Sequence, residues 1–391
     1  MKTNKNKGEN PGKSIPRINR YEGPLTRFVW LTLIAGLLAL VTPARAQTGL
    51  TDKKINVDVM QLNLYVGGGL GRVAALDPTD PAYLNNLVST VTGIYYEIVA
   101  SDPLARMKGV AQEIASQKPD IISVQEASLI RIESPGDLIV GGSNSATNVV
   151  YDYLQILVEQ LKKQGTPYTV VATTEGLDVE LPMVNQQTGA FDDVRLTDRE
   201  AILIRGNTPH DNFYPSNPQG GNFTNVVVTS AGLPLLYGWC SVDMHVHGRD
   251  FRFICTHLTE ETAPAIQVLQ AQELFDGPAN VGLPTMIVGD FNADPLHRDG
   301  SVVYDNFIAA GFQDAWTVQH PRDLGGKLTW GHDELLADPG NRFDRRIDLV
   351  LYKGKMFKSP DVKVRDLRLK CKVAPLWASD HAAVTTGFSL K

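Results

Sequence analysis

The stretch from Leu283 to Pro295 constrains the chain most: an apolar run ends at Val288 and gives way to Gly289-Asp290-Phe291-Asn292-Ala293-Asp294-Pro295. An apolar run closed by glycine and then proline reads as a short buried strand with a polar tip. Asp290 and Asn292 stand two apart, so extended backbone turns both to one side and sets a carboxylate beside an amide. Such a pair suits a site holding a cation and a phosphoryl oxygen. Strand-end Asp and Asn also make turns, so the rest of the chain has to decide between the two readings.

The same pattern recurs. Ile55 to Tyr65 reads as a strand ending at Asn63, and Asp120 to Gln125 as one ending at Glu126. Tyr237 to Val246 and Phe251 to Leu258 form a hairpin about His247-Gly248-Arg249-Asp250, and its second strand exits at His257. Arg346 to Tyr352 carries Asp348, and Ala382 to Ser389 follows Asp380-His381. Between these strands lie helical stretches: Pro81 to Ala100, the segment after Asp102-Pro103 with Leu104, Met107, Ala111 and Ile114 on one face, Tyr151 to Lys163, and Pro264 to Gly277. Shorter strands are expected near Tyr168 to Thr173 and Glu200 to Arg205. Residues 128–148 read as a surface insertion and 206–236 as a long loop. The glycines from Gly67 to Gly71 lack the following Lys-Ser/Thr of a phosphate-cradling loop and read as a flexible connection. With no internal repeat and no linker, residues 47–391 read as one α/β domain.

Each polar strand end has an ordinary explanation when taken alone. Glu126 can cap a loop, His257 can be a satisfied core histidine, and Asp348 can pair with Arg345 or Arg346. Their recurrence at strand exits is what calls for a common point. Carboxylates gathered there repel one another unless a hard cation joins them, and oxygen ligands favour Mg²⁺ or Mn²⁺ over zinc.

The sequence resembles the endonuclease/exonuclease/phosphatase superfamily, through Leu62-Asn63, Val124-Gln125-Glu126-Ala127, Thr256-His257-Leu258, Gly289-Asp290-Phe291-Asn292, Arg346-Ile347-Asp348-Leu349 and Ser379-Asp380-His381, in that order. The resemblance implies a four-layer α/β sandwich, two packed mixed β-sheets flanked by helices, as in deoxyribonuclease I-like proteins. It implies a metal resting on Glu126, aided by Asn63 and Asp380, with Mg²⁺ the expected ion and Mn²⁺ the alternative. His381 is similar to the family's general base, with Asp348 fixing its tautomer. Asn292 would donate to a phosphoryl oxygen, His257 would stabilise developing charge or assist the leaving group, and Asp290 would orient the nucleophile. How His257, Asp290 and His381 divide the proton transfers stays open. Arg199, entering a strand beside the expected site, is a candidate phosphate ligand; a surface ion pair with Asp198 or Glu200 is the other reading. Trp330 and Trp377 either line the cleft mouth or pack in the core, and His297 lies near enough in sequence to face the Asp290 loop.

The N-terminus carries scattered Lys and Arg, an apolar run from Phe28 to Val41, and then Pro43-Ala44-Arg45-Ala46. This is the order of a secretory signal over residues 1–46, and it implies a secreted or periplasmic protein without a transmembrane domain after cleavage. Eight of the 37 basic and two of the 43 acidic side chains precede Gln47, so the remainder has a net charge of −12. That balance disfavours general affinity for nucleic acid. Cys240, Cys255 and Cys371 form neither a disulfide framework nor a zinc motif. The leading expectation is a monomeric, secreted, metal-dependent phosphoesterase acting on a small-molecule or lipid-linked phosphodiester. A secreted nuclease is the second reading, and a catalytically silent binding protein on the same fold is the third.

Overall fold

The computed structural model describes residues 55–391 apart from 211, 341, 371 and 372. The expected signal segment and Cys371 lie outside the described residues.

β1 (Ile55–Asn63) leads through α1 (Gly71–Ala74), α2 (Tyr83–Ala100) and α3 (Pro103–Gln117) to β2 (Ile121–Gln125). β3 (Leu129–Glu133), β4 (Asn148–Asp152) and α4 (Tyr153–Lys163) follow, then a long hairpin of β5 (Tyr168–Val184) and β6 (Phe191–Arg205). β7 (Phe213–Asn222), β8 (Val227–Val228) and β9 (Pro234–Leu235) precede the hairpin of β10 (Gly238–Val246) and β11 (Arg249–His257). Next come α5 (Pro264–Asp276), β12 (Thr285–Asp290), α6 (Val303–Ala309), β13 (Gln313–Asp314) and α7 (Ala315–Gln319). β14 (Asp348–Lys353), β15 (Phe357–Arg365) and β16 (Ala383–Leu390) complete the chain.

Local chemistry starts the main helices. Asp102 caps α3 by accepting from the Ala105 amide at 3.0 Å, and Pro103 occupies the first turn, where its missing N–H costs nothing. Asp152 caps α4 in the same way through Gln155. Both helices bury one stripe, with Met107, Val110 and Ile114 from α3 and Leu157 and Leu161 from α4, against one face of the first sheet.

That sheet runs β15-β16-β1-β2-β6-β3-β4 with β5 added beside β6, and the second runs β13-β14-β12-β11-β10-β7. Val57, Val59, Ile121 and Ile202 of the first face Val242, Phe253, Met286, Val288 and Val350 of the second in one apolar layer. On the far side of the second sheet, Ala271 and Leu274 of α5 and Phe307 of α6 cover Ile254, Ile287 and Leu351. The result is the four-layer sandwich that the sequence predicts. Cys240 and Cys255 are buried and free, facing each other across the β10–β11 ladder.

Two expectations need correction. Residues 128–148 are not wholly an irregular insertion, because β3 pairs with both β4 and β6 and extends the first sheet. Within 206–236, β7 pairs along most of β10 and forms the edge of the second sheet. The β5–β6 hairpin also runs well past the predicted strands, and α2 packs on it through Leu87 and Val91 against Met183.

Candidate active site

Strand register brings the polar ends together. Parallel pairing sets His257 of β11 beside Asp290 of β12, and antiparallel pairing sets Asp290 opposite Asp348 of β14. In the other sheet, parallel pairing places Asn63 beside Gln125, one residue before Glu126. Trp330 bridges both Arg345 and His381, which brings the last motif to the same end. Gly289 is required where it stands, since a Cβ there would lie 1.9 Å from the Thr256 carbonyl oxygen. Past the strands the backbone turns sharply: Tyr65, Glu126 and Asn292 all take left-handed conformations, with φ of 57°, 52° and 46°. Only asparagine among these tolerates that region readily, so tertiary contacts hold the other two.

A polar seam ties the two sheets together beneath this end. Gln61 donates to Asp348 at 2.6 Å and to Gln125 at 2.9 Å, and Ser123 donates to the Val288 carbonyl at 3.0 Å. Gln125 in turn reaches Ser123 and the Cys255 thiol. Buried groups that are paired in this way resist displacement, because parting them leaves unsatisfied donors in the core.

Above the seam, His381 Nδ1 lies 2.9 and 3.1 Å from the two Asp348 oxygens. Its Nε2 lies 3.6 Å from Asp290 Oδ2, and that same oxygen is 3.6 Å from His257 Nε2. Burial alone would lower the His381 pKa, but Asp348, Asp380 and Asp290 reverse this and hold it well above the usual imidazole value. Burial also raises Asp290, and the two imidazoles only partly offset it. Asp380 is pushed up to about 6, first by burial and also by Glu126, while Trp330 Nε1 donates to it at 3.1 Å. Asn292 donates to the Leu258 carbonyl at 2.9 Å and sits 3.2 Å from His257 Nε2.

Glu126 accepts from the Val66 amide at 2.8 Å and from Asn63 Nδ2 at 2.9 Å. Asn63 Oδ1 accepts from the Tyr65 amide at 2.8 Å, so the side chain positions Glu126 through its amide nitrogen while its oxygen keeps a second lone pair. Arg199 departs from expectation. Its guanidinium is 2.5 Å from Asp152 and donates to the Ala127 carbonyl at 2.8 Å, which ties it to the start of α4. Neither Asp198 nor Glu200 is its partner. Trp377 is core, with its indole on the Asp338 carbonyl, whereas Trp330 does stand at the site. His297 turns to Ser301 and Asp305, away from the strand ends. Arg346 and Arg345 pair with Asp314 and Glu261, which leaves Asp348 to His381.

Sequence reasoning missed two members of the site. Asp198 and Glu200 project from β6 so that their carboxylates and His257 lie within 4.8 Å of one another. Among the described residues both Glu200 oxygens and His257 Nδ1 lack hydrogen-bond partners, with 3.9 Å between the nearest pair. Burial and then Glu126 push Asp198 up to about 7, and burial and then Asp198 hold Glu200 well above the carboxylate range. The signal was available. Ile202 faces the inner layer while Ala201 and Leu203 face the helices, so a period of two puts Glu200 and Asp198 inside and Arg199 outside.

The donor set fits a hard divalent cation. Asp198 and Glu200 gather about His257, and Asp290 and Asp348 about His381, with Glu126 near enough to raise both Asp198 and Asp380, so apart from the histidines the site offers only oxygen ligands.

A model of the endonuclease/exonuclease/phosphatase family matches residues 60–381. Among solved structures, a protein of that description from Leptotrichia buccalis is 14% identical with a TM-score of 0.50, over 85% of this chain and 100% of that one. A mannosyl-6-phosphatase from Bacteroides thetaiotaomicron is 16% identical with a TM-score of 0.48, over 85% and 100%. No curated protein matches.

Proposed function

The chain belongs to the endonuclease/exonuclease/phosphatase family, and we propose that it is a secreted or periplasmic, Mg²⁺-dependent phosphoesterase cleaving a small-molecule or lipid-linked phosphodiester by direct attack of water. The observation that carries this reading is the excess of buried carboxylates over cations at one end of the sandwich, beside an imidazole backed by a carboxylate. Glu126 and Asp380 would hold the ion, with Mn²⁺ the alternative to Mg²⁺ and Asn63 keeping Glu126 in place. When bound, such an ion supplies positive charge to a phosphoryl oxygen and to the leaving oxygen.

The chain's own residues do the rest. Asp348 takes the Nδ1 proton of His381 in a hydrogen bond, so the Nε2 lone pair faces the site and can accept a proton from water. Asp290, equidistant from the two imidazoles, orients that water. The Asn292 N–H that meets His257 Nε2 at 3.2 Å would turn to a phosphoryl oxygen entering between them. His257 Nε2 donates to the same developing charge, with Glu200 behind its other nitrogen.

The preference for a small or lipid substrate over a polynucleotide rests on charge. Glu260 lies close enough to feel Glu126 and Asp290, and Arg345, stacked 4.1 Å from the Trp330 ring, is neutralised by Glu261 and Asp344. A rim of this kind repels a polyanion. Hydrolysis of bis-p-nitrophenyl phosphate in Mg²⁺ should be lost with chelator and in His381→Ala. Full activity in excess EDTA would end the reading, and rapid degradation of plasmid or RNA would redirect it to a nuclease.

A further inference from the structure

A second set of carboxylates lies on the β3–β6–β5 extension. Glu133 pairs in register with Asp193, and Glu180 stands on the neighbouring strand opposite Arg195. Their ligand-capable atoms fall within 4.8 Å of one another. The 134–147 segment closes over them: Asp193 Oδ2 accepts from the Asp137 and Leu138 amides at 2.7 and 3.0 Å, and Glu180 accepts from the Ala146 amide at 2.7 Å.

The independent sign of a ligand is what these groups lack. Asp193 is fully buried, yet among the described residues its Oδ1 has no hydrogen-bond partner. Glu133 Oε2 and Asp137 Oδ1 are likewise buried and unpartnered. Buried carboxylate oxygens without donors are costly unless a cation meets them. The guanidiniums on the same face do not serve, because Arg131 and Arg195 both bond to Asp178.

We propose that Glu133, Glu180 and Asp193 form a calcium site that fastens the 134–147 segment to the extended sheet. Three protein carboxylates suit Ca²⁺, which takes about six to eight oxygen ligands, whereas Mg²⁺ is usually held through only about one or two carboxylates and keeps its waters. The site is separate from the candidate active site and does not rest on the proposed reaction.

Calcium titration calorimetry on the full chain in saturating Mg²⁺ tests this, with thermal melts alongside. One Ca²⁺ equivalent is expected in the wild type and in Glu126→Gln, and it should raise the melting temperature of both. In Glu133→Gln and Asp193→Asn, affinity should fall by about tenfold or more, since each removed ligand charge weakens such sites, and the melting shift should vanish. Glu133 accepts no bond that holds the fold, so Glu133→Gln decides the matter even if Asp193→Asn does not fold. No Ca²⁺ uptake by the wild type, wild-type affinity in Glu133→Gln, or loss confined to Glu126→Gln would each overturn the proposal.

Discussion

Replacing Asp348 with asparagine tests the proposed chemistry most sharply, because the surroundings dictate which way the new amide will lie. Gln61 Nε2 donates to Asp348 Oδ1 at 2.6 Å, and the His381 ring nitrogen sits 2.9 Å from Oδ2. An asparagine must turn its oxygen to Gln61, a donor only at that atom, and so presents its NH₂ to His381. Nδ1 then has to accept, the proton moves to Nε2, and Nε2 can no longer take one from water. General-base assistance contributes about a hundredfold to ten-thousandfold, equivalent to about 2.7–5.4 kcal/mol of barrier, so kcat should fall by that factor with KM little changed. The pH profile carries a second signature. His381 must be neutral to act, and after the opposing effect of burial Asp348 is the main group raising its pKa. In Asp348→Asn the limb where activity rises with pH should therefore move to lower pH even as the plateau drops. The assay is kcat/KM for a chromogenic diester from pH 5 to 10 at saturating Mg²⁺, with circular dichroism to confirm folding. A plateau within threefold of wild type, or a limb that stays put, would refute the role given to the pair.

Three other outcomes are expected. Glu200→Gln should lower kcat by about a hundredfold, at the low end of acid–base effects, because it removes the carboxylate behind His257 Nδ1; unchanged kcat in a folded variant would make Glu200 a bystander. Arg199→Ala should cost about 1.5–3 kcal/mol of stability in a urea titration through its bonds to Asp152 and Ala127, with KM unaltered; a raised KM at intact stability would restore its phosphate role. Burial alone would lower the His332 pKa, but hydrogen bonds to Asp366 and Asp338 raise it. Its stabilisation is therefore complete below the unfolded value of about 6.5 and lost as pH rises through the higher folded value. The gap in melting temperature between wild type and His332→Gln should narrow from pH 6 to pH 9, and a constant gap would show that the imidazolium contributes nothing.

Much of the architecture was legible because burial on both faces leaves an unmistakable mark. β2, β11, β12 and β14 are short apolar runs with polar exits, and their register follows once they pair. The β5–β6 extension was read too short because one of its faces is charged. Asp178-Val179-Glu180-Leu181-Pro182-Met183 does alternate, but proline and the acidic residues mask the period. β7 was missed for a different reason: Pro215, Pro218, Gly220 and Gly221 read as loop, and they are tolerated at a sheet edge where ladder bonds are needed on one side only. At the site, residues were found where a motif ended a strand. Asp198 and Glu200 were overlooked because they lie along a strand beside an arginine that drew attention to the wrong face.

The left-handed turns at Tyr65 and Glu126 bear on how this chain would respond to selection. Glycine at position 126 would remove about 1–2 kcal/mol of backbone cost, and with it the repulsion that Glu126 exerts on Asp198 and Asp380. Against that stand the bonds that Glu126 accepts from the Val66 amide and Asn63, so a screen rewarding heat tolerance alone would favour glycine there only where another group met those donors. A descendant that kept the sandwich but abandoned its chemistry would be recognisable by a glycine at that bend.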